Sequence, residues 1–153
     1  MSKKHLEIVN NVARIWNRGN AEDIDQYLTH NFRNHDPAYP PLTDAEGYKA
    51  FIRELKSGLP DFEVVTDEMF ACDNRVVARW TASGTQKGEI FGRPPTDKYA
   101  SWSGITIYRF EGDKIAEAWW AYDQLRILEQ LGVAPPRTER PQGMVHPERE
   151  TKR

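Results

Sequence analysis

Three polar side chains in this sequence are of types suited to carbonyl chemistry: Asp123 and His35 can exchange protons, and Gln86 can hydrogen-bond an oxygen. Asp123 stands where Lys-Ile-Ala-Glu-Ala-Trp-Trp-Ala-Tyr gives way to Gln-Leu-Arg-Ile-Leu-Glu-Gln-Leu, an expected strand followed by a helix closed by Gly132. Side chains alternate between the two faces of a strand, so Ile115, Glu117, Trp119, Ala121 and Asp123 are expected to share one face. An indole in line with a carboxyl withholds water and lifts its pKa toward neutrality, the setting of a general acid or base. Asp is equally a favoured helix N-cap, and the local pattern leaves both readings open.

His35 lies between Asn34 and Asp36, ahead of Pro37. An imidazole gains and loses protons near neutral pH and could polarise a carbonyl or orient Asp123. The alternative is a ring tied into its own loop, with Asp36 capping a turn. Gln86 shares strand parity with Val76, Ala78, Trp80, Ala82 and Gly84, which puts its amide on the cavity side if no bulge intervenes. There it could bond a carbonyl or enolate oxygen. Glu117 is expected in an ion pair or an interface, because a second unpaired buried carboxylate would be costly. Trp80, Trp102, Trp119, Tyr27 and Phe51 are core residues by default, and some of them must line any cavity. His5, His30 and His146 lack ligand spacing with His35, so no metal is implied.

The elements that must position these groups change character along the chain. Ser2 opens a helix carrying Leu6, Val9, Ala13 and Trp16 at helical spacing and stopped by Gly19. Asn20 caps a short helix with Ile24, Tyr27 and Leu28, and an irregular stretch follows. Thr43-Asp44-Ala45-Glu46 has the pattern of a capping box. It opens a third helix with Tyr48, Phe51, Ile52 and Leu55 inward, ending near Gly58 and Pro60. Beyond it, segments 62–71, 75–91, 99–110 and 114–122 are rich in β-branched and aromatic residues and read as strands. Gly84 and Gly88 mark a bend in the second. Helices first and a meander afterwards predict an α+β domain over residues 1–134. The Pro-rich, charged stretch 135–153 reads as an extended or disordered tail.

Composition narrows the function. The chain of 153 residues carries a formal charge of −2, with no basic concentration of the kind nucleic acid requires. No stretch is apolar for long enough to span a bilayer, and the first residues lack the apolar run of a signal peptide, so a cytoplasmic location is expected. A lone Cys72 excludes an internal disulfide. Five Trp, six Tyr and six Phe suit a rich core or a deep apolar pocket.

Five segments in order resemble the SnoaL-like polyketide cyclases of the nuclear transport factor 2-like superfamily. They are Asn31-Phe32-Arg33-Asn34-His35-Asp36-Pro37, Leu59-Pro60-Asp61-Phe62, Gly84-Thr85-Gln86-Lys87-Gly88, Gly92-Arg93-Pro94-Pro95-Thr96 and Gly112 to Gly132. The resemblance implies a cone: three N-terminal helices packed on a curved antiparallel sheet, with a short C-terminal helix. It also implies ring closure by intramolecular aldol condensation on a small apolar carbonyl compound, with neither metal nor organic cofactor. Asp123 matches the acid-base residue and His35 a residue near the pocket mouth. Asn34, Gln86, Tyr27, Phe51, Trp80, Trp102 and Trp119 are then the expected substrate contacts. Relatives commonly pair through the free sheet face, which predicts a homodimer across Arg75, Val77, Arg79, Thr81 and Ser83. The chain departs from the pattern at three places: Gln86 and Ala118 replace common histidines, and Asp97 replaces a common Gly. An isomerase, an epoxide hydrolase or a non-catalytic binding module on the same fold are the competing readings.

Overall fold

Apolar residues at helical spacing drive Ser2–Arg18 into helix α1, which buries Ile8, Val9, Val12, Ile15 and Trp16. The computed structural model describes residues 2–134; the expected tail at 135–153 lies outside the described residues. A 3-10 helix, Ala21–Gln26, follows, its first turn held by Asn20 Oδ1, which accepts the Glu22 N–H at 3.1 Å. Next come strand β1 (Leu28–His35), helix α2 (Ala45–Gly58) and strands β2 (Glu63–Cys72), β3 (Arg75–Thr85), β4 (Tyr99–Glu111) and β5 (Lys114–Tyr122). Helix α3 (Gln124–Gln130) closes the described chain.

The five strands form one sheet in the order β1-β5-β4-β3-β2. All neighbours are antiparallel except β1 and β5, which run parallel. Strand β1 occupies the stretch expected to be irregular. The second expected strand ends at Thr85 rather than Phe91, because Gln86 turns the chain into a loop that bridges back through Ile90 and Arg93. The cap of α2 is Asp44, whose carboxylate accepts the Gly47 N–H at 2.8 Å; the cap therefore sits one residue later than Thr43 predicts, and Gly47, without a side chain, cannot complete a capping box.

The decisive local feature is a bulge in β5. Phe110 pairs with Ile115 but Arg109 pairs with Glu117, so Ala116 is an extra residue. An uncounted residue reverses every face assignment beyond it. Glu117, Trp119 and Ala121 therefore lie on the convex face, and Ala118, Trp120 and Tyr122 line the concave side under the helices. Trp119 does not face the cavity, contrary to the alternation expected from Ile115.

The concave side packs on α1 and α2 through aromatic rings. Trp16 meets Tyr48, Phe51 and Trp120 at centroid distances of 5.6, 5.8 and 5.7 Å. Such pairs add about 0.5–1.5 kcal/mol each beyond burial alone. On the convex side Phe70, Val77, Ile107, Trp119 and His35 are register partners across all five strands. That row is flanked by Arg75, Arg109, Glu117 and Arg33 on one side. Among the described residues no helix is long and apolar enough to cross a membrane.

Candidate active site

Between α1, α2 and the concave sheet lies a cavity of about 60 Å³. Its wall is made by Val9, Ala13 and Trp16 of α1, Phe51 and Leu55 of α2, and inward residues of the strands, among them Ala78, Trp80, Ala82, Trp102, Thr106, Tyr108, Trp120 and Tyr122. The sequence-expected contacts Trp80, Trp102 and Phe51 are therefore on the wall. Trp119, Gln86, Tyr27 and Asn34 are not.

Several polar groups of this wall are matched internally. Trp80 Nε1 donates to Thr106 Oγ1 at 3.0 Å, and Trp16 Nε1 donates to Tyr48 Oη at 3.1 Å. Trp120 differs: its Nε1 is buried with no partner among the described residues. An unmet buried donor costs about 1–3 kcal/mol.

Tyr122 couples the wall to a carboxylate. Its hydroxyl donates to Asp36 Oδ2 at 2.9 Å. The other carboxylate oxygen of Asp36 accepts the N–H groups of Ala38 and Tyr39 at 2.9 and 3.2 Å, an Asx turn that fixes the loop after β1. Burial pushes the Asp36 pKa above its usual 3.8, against the opposing pull of those hydrogen bonds. Burial and the neighbouring Asp36 both drive the Tyr122 phenol upward, so it stays neutral. Beside them Tyr39 donates to Glu54 Oε2 at 2.7 Å and stacks on Phe51 at 4.6 Å.

The other predicted residues lie away from this wall. Asp123 is exposed at the end of β5; its Oδ1 accepts the Arg126 N–H at 3.0 Å as the N-cap of α3, and it is not among the wall residues. His35 lies on the convex face, where Nε2 meets Glu117 Oε2 at 2.7 Å and the ring stacks on Trp119 at 5.3 Å. Arg109 Nε donates to the other oxygen of Glu117 at 3.1 Å, and the Arg75 guanidinium sits 5.3 Å above Trp119. His35 and Arg109 hold the Glu117 carboxyl below its usual range. Glu117 is thus ion-paired, as expected.

Gln86 is fully buried, but its Nε2 donates to the carbonyls of Arg93 and Pro94 and its Oε1 accepts from Thr96 Oγ1. It staples the loop between β3 and β4. Asn34 Nδ2 reaches the Leu42 carbonyl at 3.4 Å, tying the loop after β1, and the Tyr27 carbonyl receives the Ile115 N–H at 2.7 Å. Asp36 entered the sequence reading only as a turn cap, and Tyr122 and Trp120 were missed. Glu117 carried the signal: a face bearing a carboxylate is the wetter one, which sends Trp120 and Tyr122 inward.

The model of the SnoaL-like polyketide cyclase family matches residues 7–131. TsrD from Streptomyces laurentii superposes with a TM-score of 0.78 at 28% identity, over 86% of this chain and 97% of that one. A polyketide cyclase candidate from Acidithiobacillus ferrooxidans is 33% identical over 84% of this chain and 94% of its own, with a TM-score of 0.74. A protein from Catenulispora acidiphila with a ketosteroid isomerase-like fold, solved with trimethylamine, is similar in fold alone: 17% identity, TM-score 0.69, covering 84% of this chain and 94% of that one. No curated protein matches in sequence.

Proposed function

Because the chain belongs to the SnoaL-like polyketide cyclase family, we propose that it closes a ring in a small, largely apolar, carbonyl-bearing molecule. The apolar walls would hold a flexible substrate folded, a large share of any such acceleration. Proton transfer is assigned to Asp36 and Tyr122, and the observation that carries this is the 2.9 Å bond between them at the cavity wall. Tyr122 Oη takes a proton from the carbon beside the carbonyl while its own proton passes to Asp36. The phenol stays neutral and Asp36 becomes the carboxylic acid. The enolate attacks a second carbonyl of the same molecule, forming the carbon–carbon bond, and the relay runs backward to protonate the new alkoxide. Burial lifts Asp36 toward the working pH, where a general base is most effective.

Asp123, one residue beyond Tyr122, is the rival for the same role. Exchange of the α-hydrogens of 1-tetralone in deuterated water, followed by NMR, separates the two. Wild-type protein is expected to accelerate exchange, and Tyr122→Phe and Asp36→Asn to lose roughly a hundredfold or more. Asp123→Asn keeps the capping oxygen and should retain exchange, whereas Asp123→Ala should cost about 1 kcal/mol of stability. Exchange lost only in Asp123→Asn would return the base to Asp123. No acceleration by the wild type would remove enolate chemistry and favour a binding module.

The convex row from Phe70 to His35 supports a second part of the reading, a homodimer formed by two copies of that face. Phe70 and Ile105 of this face are 54% and 47% exposed, and apolar residues gathered in one exposed patch, unlike scattered ones, mark interaction surfaces. The free, exposed Cys72 fits the reducing cytoplasm to which we assign the protein.

A further inference from the structure

We propose that Phe91 is the residue that limits the size of the substrate. The inference rests on the ring-closing reading and deepens it by naming the part of the wall that decides how many fused rings the cavity admits. Phe91 lines the cavity, yet it belongs to neither helix nor strand: it stands in the turn Ile90-Phe91-Gly92-Arg93 between β3 and β4. The Arg93 N–H donates to the Ile90 carbonyl at 2.8 Å, and the Ile90 N–H donates to the Arg93 carbonyl at 3.2 Å. The two residues between them have φ of 49° and 69°, the pattern of a type I′ turn. The first of these positions calls for Asn, Asp or Gly. A bulky ring there is an outlier that costs stability. Local preference does not favour Phe at this place; what its ring supplies is part of the cavity wall.

The turn is tied on both sides, which makes the ring a stop rather than a lid. Ile90 is fully buried, and Gln86 Nε2 donates to the carbonyls of Arg93 and Pro94, both at 3.1 Å. Ahead of the turn, the N–H groups of Lys87 and Gly88 donate to the Gly58 carbonyl at the end of α2, at 2.8 and 3.0 Å. The Phe91 ring meets Tyr39 edge-on at 6.0 Å and is tilted against Phe51 at 6.2 Å. Tyr39 is the residue whose N–H bonds Asp36, the partner of Tyr122. Phe91 therefore stands at the end of the cavity that holds the proton-transfer pair. A ring system stopped there is kept beside Tyr122, and a longer one meets the Phe91 ring before it can seat.

The test compares 1-tetralone with 9-fluorenone, ketones of two and three fused rings, by calorimetric binding to the full chain. Wild-type protein is expected to favour 1-tetralone. Phe91→Asn removes the ring and suits the turn; Phe91→Leu, which keeps an apolar side chain, is the second variant, and thermal melting checks that both fold. The fluorenone-to-tetralone affinity ratio is expected to rise about tenfold in either variant, the scale of discrimination that apolar wall groups provide. An unchanged ratio in the folded variants would overturn the proposal. So would a wild type that binds both ketones equally or neither, or loss of the native melting transition in both variants, which would make Phe91 a folding residue. The exchange assay on Asp36 and Tyr122 reads out separately: a shifted ratio without exchange keeps the stop and removes the relay, and exchange with an unshifted ratio keeps the relay and removes the stop.

Discussion

Asp36 and Glu117 are carboxylates on opposite sides of one sheet, and the fold treats them in opposite ways. Burial raises Asp36, while His35 and then Arg109 lower Glu117. The two therefore contribute opposite slopes to stability against pH. Glu117 has a folded pKa below its unfolded value, so its contribution is complete above the unfolded pKa and fades as pH falls through the folded one. Asp36 has a folded pKa above its unfolded value, so its contribution is complete below 3.8 and is lost as pH rises through the folded pKa. Denaturant midpoints measured from pH about 3 to 7 should show Glu117→Gln weaker than wild type at neutrality, the gap closing on acidification. Asp36→Asn should show the reverse trend, gaining on wild type as pH rises. A parallel pair of curves would contradict the burial of Asp36. At this scale the sequence was half legible. The types needed for acid-base work were visible, but which carboxylate is dry depends on one uncounted residue in a strand. Asp97 is a similar case: its φ of 63° lies in the left-handed region that suits the Gly the resemblance led one to expect there, and Asp tolerates that conformation better than most side chains.

Among the elements, β4 is the wall that cannot yield. Gly104 sits at its middle with the Trp80 ring against it; a methyl group there would lie 2.7 Å from Trp80 Cη2 and 2.8 Å from the Ala121 carbonyl. Gly104→Ala should therefore lower stability by about 1–3 kcal/mol, the range for overpacking, and displace the Trp80 ring from Thr106. Denaturant unfolding together with near-ultraviolet circular dichroism would detect both; a native spectrum at wild-type stability would disprove the fit. Strands β2 to β5 were recognisable because each is rich in branched and aromatic residues. Strand β1 was not: Leu-Thr-His-Asn-Phe-Arg-Asn-His has weak strand character. It forms at the sheet edge by pairing with β5, more than eighty residues later, and a local pattern cannot announce so distant a partner.

In the molecule as a whole, helices cover one side of the sheet and leave the other with its apolar row. The expected dimer follows from that asymmetry, and it has a clear check. Sedimentation at tens of micromolar should show the mass of two chains, and Ile107→Glu, in the centre of the row, should halve it while leaving the melting temperature of the fold nearly intact. A wild-type monomer would end the proposal. The helix-then-strand order was enough to predict the α+β class, and the cone came from resemblance. The cavity's lining was not readable, because it depends on how five strands register. That register also decides what heredity can remove. Losing codon 116 would straighten β5 and leave every later side chain on its own side. Losing codon 118 would carry Trp119 inward and send Trp120 and Tyr122 to the water. Of two alanines two places apart, one is spare and the other keeps the cavity from turning inside out.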